Sequence, residues 1–329
     1  MRIMATVRTR QSWLVAIMAA CFLGASLAAP PKNPSEWLER IARSARELPY
    51  TGVFIHQTSD GSTTTRITHL VDRQGNEHER LEMMDGPVME VVRRNNEMFC
   101  YQPDQKMIRV DRRATGRFFP SLVTGSTTEI TENYRVKLGV VERVAGHDCQ
   151  WVILEPKDAM RYMQKLCAEL GSGLLLRARL YNGRSQLLEQ FMFTQLDVTG
   201  AVAKQNIRSR FDEKGWQRDY LVKTDLKSAD TGWQVTNLPA GFRKITEMAR
   251  NLAGRKQSVS HLVFSDGLLS VSVFIEPSSG VPVVASAGLK DDGPVSFAIR
   301  SLPEHQATVM GEVPVAAVQA IADSISLRK

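Results

Sequence analysis

Between residues 50 and 196 the chain is cut into short apolar runs by closely spaced turn signals, and this spacing constrains the fold more than any other feature. Residues 51–57, 64–71, 77–83, 88–94 and 98–101 read as strands. Asp60-Gly61, Arg73-Gln74-Gly75-Asn76, Asp85-Gly86-Pro87 and Asn95-Asn96 read as the turns between them. Strands joined so tightly pair with their neighbours and make an antiparallel meander. Residues 134–144, 149–155, 174–181 and 187–196 extend the sheet, while the weakly patterned residues 118–131 predict a loop or lid. Val53-Phe54-Ile55 and Phe191-Met192-Phe193 are consecutive apolar residues, the pattern of strands covered on both faces. Helices can cover one face and the other can line a cavity. Met83, Met84, Met89, Met98 and Met107 add polarizable surface suited to irregular ligands, although ordinary core packing accounts for them as well.

Ahead of the sheet, Asn33-Pro34-Ser35-Glu36 predicts a helix start, with Asn33 as cap, Pro34 in the first turn and Trp37, Ile41 and Ala45 on one face. Further upstream, residues 1–28 read as a cleavable export signal. Arg2, Arg8 and Arg10 precede an apolar run over residues 13–27 that is short for a membrane span. Removing those three arginines takes the formal charge from +7 to +4, a mild excess that does not demand nucleic acid. Cys100, Cys149 and Cys167 remain. An exported compartment permits one bridge among them, and three small buried thiols are the slightly favoured reading.

After the sheet, residues 206–231 read as a polar linker, which places a large domain at 33–205 and a small one at 232–329. In the small domain, residues 261–277 (His-Leu-Val-Phe-Ser-Asp-Gly-Leu-Leu-Ser-Val-Ser-Val-Phe-Ile-Glu-Pro) predict a β-hairpin around Ser-Asp-Gly. Strands follow near 282–288, 295–302 and 306–312, and residues 242–252 fit a strand or a short helix. Pro314 opens a last helix with Val315, Val318, Ile321 and Ile325 on one stripe, and Arg328 and Lys329 sit where a helix C-terminus favours cations. The fold class is α+β.

The chain carries no nucleophile elbow, zincin or phosphate-loop motif, and no Cys-x-x-Cys. His56, His69 and His78 fall on successive strands, but spacing alone supplies no convergent metal site. Glu77, Glu79, Glu82 and Asp85 are the carboxylates a hydrolase could use, and a solvated sheet edge explains them more simply. Arg93, Arg94, Arg109, Arg112, Arg113 and Arg117 run into Phe118-Phe119-Pro120, which suits the head group of an anionic amphiphile or an ordinary solvated loop. The expectation is a binding protein without cofactor or metal, not an enzyme.

Taken in order, these segments resemble one family. Tyr50-Thr51-Gly52-Val53-Phe54-Ile55-His56, Arg66-Ile67-Thr68-His69, Asp85-Gly86-Pro87-Val88-Met89-Glu90-Val91, Cys100-Tyr101-Gln102-Pro103, Leu238-Pro239-Ala240-Gly241-Phe242, residues 261–277 and Gly311-Glu312-Val313-Pro314 are similar to the MucB/RseB family of periplasmic sigma-E regulators. The chain departs from the family pattern around Arg161-Tyr162-Met163-Gln164-Lys165-Leu166-Cys167. The resemblance implies a large antiparallel half-barrel like that of the lipoprotein carriers and a smaller C-terminal α+β domain. It also implies binding to the periplasmic part of a single-span anti-sigma factor, protection of that factor from proteolysis, and release by lipid or lipopolysaccharide. Self-association as a homo-oligomer is compatible with it, and a periplasmic lipid or lipoprotein carrier is the alternative. On this footing Phe242, Val263, Phe264, Val271, Val273 and Phe274 are the expected partner-binding residues. Val53, Ile55, Ile67, Met83, Met89, Phe118, Phe191 and Phe193 are the expected lipid-cavity lining, and Arg112, Arg113 and Arg117 the expected anionic head-group contacts.

Overall fold

In the computed structural model, residues 30–112, 118–198, 200–220, 230–250, 258–278, 286–289 and 293–328 are described. The expected export signal, Arg113, Arg117 and Lys329 lie outside them. Helix α1 (Pro34–Glu47) begins where the Asn33 side chain accepts the Glu36 N–H at 2.8 Å, with Pro34 in the first turn. Its apolar stripe buries Trp37, Leu38, Ile41 and Ala45.

The chain then runs through β1 (Tyr50–Thr58), β2 (Gly61–Val71), β3 (Glu77–Met83), β4 (Glu90–Arg94), β5 (Glu97–Gln102) and β6 (Met107–Asp111). Helix α2 (Thr127–Asn133) leads into β7 (Tyr134–Val144), β8 (His147–Pro156), β9 (Met163–Glu169), β10 (Leu175–Tyr181) and β11 (Leu187–Asp197). With β12 (Gln217–Tyr220) these strands make one 12-stranded sheet, ordered β12-β6-β5-β4-β3-β2-β1-β11-β10-β9-β8-β7. Every pairing is antiparallel except β12 on β6. Trp37 and Ile41 of α1 share a core with Phe54, Ile67, Leu81, Trp151, Leu166 and Phe193, so the sheet wraps the helix.

The small domain holds β13 (Trp233–Val235), β14 (Arg243–Arg250), β15 (Val259–Ser265), β16 (Ser270–Pro277), β17 (Ser286–Leu289), β18 (Ser296–Leu302), β19 (His305–Gly311), α3 (Val315–Asp323) and β20 (Ile325–Leu327). Six of these strands form an antiparallel sheet, β14-β15-β16-β19-β18-β17, and β13 pairs with β20. The predicted hairpin is β15–β16, with Ser265 opposite Ser270 across the turn.

Several expectations are corrected. The stretch expected as a loop at 118–131 runs into α2 from Thr127, held by a reciprocal cap between Ser126 and Glu129. Glu77, Glu79 and Glu82 do not sit on a sheet edge, because β3 lies between β2 and β4. Glu79 is buried opposite Arg93, and the Glu82 carboxylate is met by Arg80 at 2.9 Å. The stretch expected as linker contributes β12, and Arg210 reaches back to the fully buried Glu90 at 2.9 Å. Cys149 and Cys167 form a disulfide between β8 and β9, which replaces the reading of three buried thiols, and Cys100 is free. Ile325 belongs to β20 and not to the last helix. Arg328 does not serve the helix terminus but pairs with Asp230 and, at 3.3 Å, with Glu247.

Candidate functional site

The two domains are locked together by a buried polar cluster. The Arg161 side chain is fully buried, and its Nε donates to Asp266 Oδ2 at 2.9 Å. The Tyr134 hydroxyl donates to the same oxygen at 3.0 Å. Arg161 also bonds Asp158 and the Ala240 carbonyl, and its guanidinium lies 5.2 Å from the Phe242 ring. Burial, then the neighbouring Asp266 charge, pushes the Tyr134 hydroxyl well above its ordinary value, so it stays a donor. Around this cluster Tyr162, Leu180 and Leu188 of the large domain are buried in the apolar core of the small one. The hairpin turn closes the junction: Thr124 and Gly125 N–H both donate to the Gly267 carbonyl, at 2.8 and 2.9 Å.

Beside this junction the domains leave a cleft of about 810 Å³, within the size range of small-molecule sites. Phe54 and His56 of β1, Glu189 and Phe191 of β11, and Phe118, Phe119, Leu122 and Thr124 form one wall. Arg243 and Ile245 of β14, His261, Val263 and Ser265 of β15, Gly267 and Leu268 of the turn, Ser270 and Ser272 of β16, and Val295, Met310, Gly311 and Glu312 form the other. The floor is aromatic. Phe119 stacks on Phe191 at 5.5 Å and meets Phe54 edge-on at 5.2 Å.

Polar side chains, among them His56, Glu189, Arg243, His261 and Glu312, share the lining with this floor. His56 Nε2 is 2.6 Å from Glu189 Oε1, with the imidazole stacked on Phe191 at 4.2 Å. His261 Nε2 is 3.1 Å from Ser272 Oγ, and its ring stacks on Phe274. Arg243 is paired with Glu129. Burial among the cleft walls, then the Glu189 charge, raises the Glu312 carboxyl above the ordinary carboxylate range, and His56 opposes this. The Glu312 side chain remains open to cleft water, which tempers the desolvation.

Of the expected cavity residues, Phe118 and Phe191 line this cleft. Phe193 and Ile67 are in the core behind it, and Met83 packs on the edge of that core. Val53 and Ile55 are half-buried in the opposite phase of β1 from Phe54 and His56, and Met89 is half-buried before β4. Of the expected partner-binding residues, Val263 lines the cleft and Phe242 sits under Arg161. Phe264, Val271 and Val273 are core of the small sheet, and Phe274 backs His261. Arg112 is exposed beside Glu97 at 4.0 Å, with its guanidinium 5.2 Å from the Tyr220 ring, and not in the cleft. Phe54, Phe119, Leu122, Glu189, Ile245 and Glu312 were missed. The only signal for Phe54 was the apolar triplet, whose phase three consecutive hydrophobes leave open. His56, His69 and His78 do not converge: they bond Glu189, the Leu48 carbonyl and Asp72 respectively.

Residues 33–211 match the MucB/RseB N-terminal domain and residues 227–326 the MucB/RseB C-terminal domain. The chain belongs to the MucB/RseB family. The sigma factor AlgU regulatory protein MucB of Pseudomonas aeruginosa is 29% identical over 310 residues, covering 92% of this chain and 95% of that protein. The sigma-E factor regulatory protein RseB of Escherichia coli is 24% identical, covering 96% and 98%. The crystal structure of MucB in complex with MucA(peri) superposes with a TM-score of 0.70 at 27% identity, covering 90% of this chain and all of the other. MucB alone gives 0.64. The α+β architecture of a large open antiparallel sheet and a smaller C-terminal sheet domain is therefore that of the family. Among the described residues no helix is long and apolar enough to cross a membrane.

Proposed function

We propose that this protein is an exported, non-enzymatic regulator that binds the periplasmic part of a single-span anti-sigma factor and shields it from proteolysis, and that the cleft between its domains is where lipid competes with that partner. The observation that carries the reading is the cleft itself, built by both domains of a family whose named members regulate sigma factors. An aromatic floor bordered by polar groups suits either an apolar side chain of an extended peptide or part of an acyl chain. Each buried CH₂ contributes about 0.8 kcal/mol, so part of one chain offsets a modest peptide interface. Lipid releases the partner only by its differential affinity for the free and bound forms. The periplasm is the compartment that fits the disulfide between Cys149 and Cys167.

The aromatic floor also favours a second reading, a periplasmic lipid or lipoprotein carrier. One experiment separates the two. Tagged full-length mature protein is incubated with envelope extract, and captured proteins and lipids are identified by mass spectrometry before and after adding lipopolysaccharide. The regulator retains one single-span anti-sigma factor and loses it to lipopolysaccharide. Capture of many lipoproteins, or of lipid alone, makes it a carrier. Truncation after Asp230 is a poor substitute, because it would expose Tyr162, Leu180 and Leu188.

A further inference from the structure

A small recess of about 40 Å³ runs off the floor of the cleft and is continuous with it through Leu122, Glu189, Phe191, Leu268 and Glu312, which line both. Leu122, Ala178, Leu180 and Leu269 supply apolar lining. Gln164, Arg179, Glu189 and Glu312 supply its polar groups. We propose that this recess is the seat of one lysine or arginine side chain carried by an extended segment of the partner, an inference that rests on the cleft being the partner's site.

Charge is the first argument. Two carboxylates face the recess; Glu189 already has His56 as a partner, and the other nearby cations, Arg179 of the lining included, are engaged with other groups. His56 on β1 is held by Glu189 at 2.6 Å. Arg179 on β10 donates to Gln190 at 2.7 Å and lies over the Trp151 ring. Arg243 on β14 pairs with Glu129, and His261 on β15 bonds Ser272. Among the described residues no hydrogen bond or ion pair reaches the Glu312 carboxylate, whose pKa is raised first by burial and then by the Glu189 charge, with His56 opposing. An ammonium or guanidinium placed there gives Glu312 the paired cation that Glu189 has in His56, whereas a phosphate is repelled by Glu312.

The second observation is independent of charge. Gln164 is buried, and its Nε2 has no hydrogen-bond partner. An unpaired buried amide end is costly, and a peptide carbonyl entering the recess satisfies it. Shape is the third argument. A lysine or arginine lays its methylene stem along apolar walls and keeps its charged head on polar groups, and a recess lined by leucines together with two carboxylates matches that form. An anionic lipid head group is thereby disfavoured in the recess, while an acyl chain can share the aromatic floor.

The test uses the full mature chain, with dodecylammonium and dodecyl phosphate as probes and the MucA periplasmic segment of Pseudomonas aeruginosa as peptide ligand, titrated against wild type, E312Q and Q164L. Glu312 is solvent-open, so E312Q is expected to fold, and thermal melts confirm it. At pH 8 wild type prefers the ammonium over the phosphate by about tenfold, the order expected of a charge-assisted hydrogen bond. E312Q loses most of that preference, and so does wild type as the pH falls and Glu312 becomes protonated. Q164L keeps the ammonium preference but weakens the peptide. Equal binding of the two probes by wild type, or an unchanged preference in E312Q, overturns the recess. The partner reading fails separately: if the amine preference holds but no periplasmic segment binds, the recess stands and the partner assignment falls.

Discussion

Arg161 shows how one residue sets the relation between the domains. Its charge is removed from water, which is tolerable only because Asp266, Asp158 and a backbone carbonyl surround it. Replacing it with methionine leaves Asp266 buried and charged, held by the Tyr134 hydroxyl and the Leu268 and Leu269 N–H groups. R161M is expected to cost about 3 kcal/mol in urea unfolding. Adding D266N restores part of the loss, because the uncompensated charge is gone while an acceptor oxygen remains. A loss below about 0.5 kcal/mol in R161M would mean the cluster is not what joins the domains. Neither residue advertised this role. Arg161 stood in a stretch noted only as departing from the family, and Asp266 looked like an ordinary turn residue, since a contact made across 105 positions leaves no local periodicity.

At the scale of elements, the hairpin of β15 and β16 and its turn were legible because alternating apolar runs around Ser-Asp-Gly report local geometry. Illegible was that the turn docks against the segment preceding α2. There a Cβ on Gly267 would lie 2.5 Å from the Gly125 Cα, and Gly267 has φ +93°, a region that costs a side chain strain. G267A is therefore expected to loosen the domain junction while leaving both sheets intact. Limited proteolysis between the domains should accelerate as circular dichroism stays unchanged, and equal cleavage rates would contradict the docking. The disulfide is the other element-level device. It joins β8 to β9 across 18 positions, and a loop of that length is worth about 3 kcal/mol of stability. C149S/C167S should lower the urea midpoint accordingly, and dithiothreitol should do the same to wild type but not to the variant. The pairing could not be read from three cysteines, because it depends on strand register: Cys149 and Cys167 sit near-opposite only once β8 and β9 are aligned.

At the scale of the molecule, the sheets were readable and the site was not. Turn signals and strand periods report neighbours in sequence, so the meander and the α+β class followed from them. The cleft is made of faces, and β1 presents Phe54 and His56 to it where the consecutive Val53, Phe54 and Ile55 left the phase open. The residues expected to contact a partner proved to be mostly the core that shapes the cleft wall. Under the proposed function, peptide and acyl chain would meet one aromatic floor, between two walls joined by the buried cluster at Arg161.

Hydrogen exchange on the full mature protein, with and without the MucA periplasmic segment, tests that claim most directly. Protection on binding is predicted on both walls at once, at β1 and β11 around Phe54 and Phe191, at residues 118–124, and at β14 and β15 around Ile245 and Val263. Lipopolysaccharide should displace the segment and leave protection on the aromatic floor alone. Protection confined to one domain, or to strands away from the cleft such as β7 or β18, would contradict it.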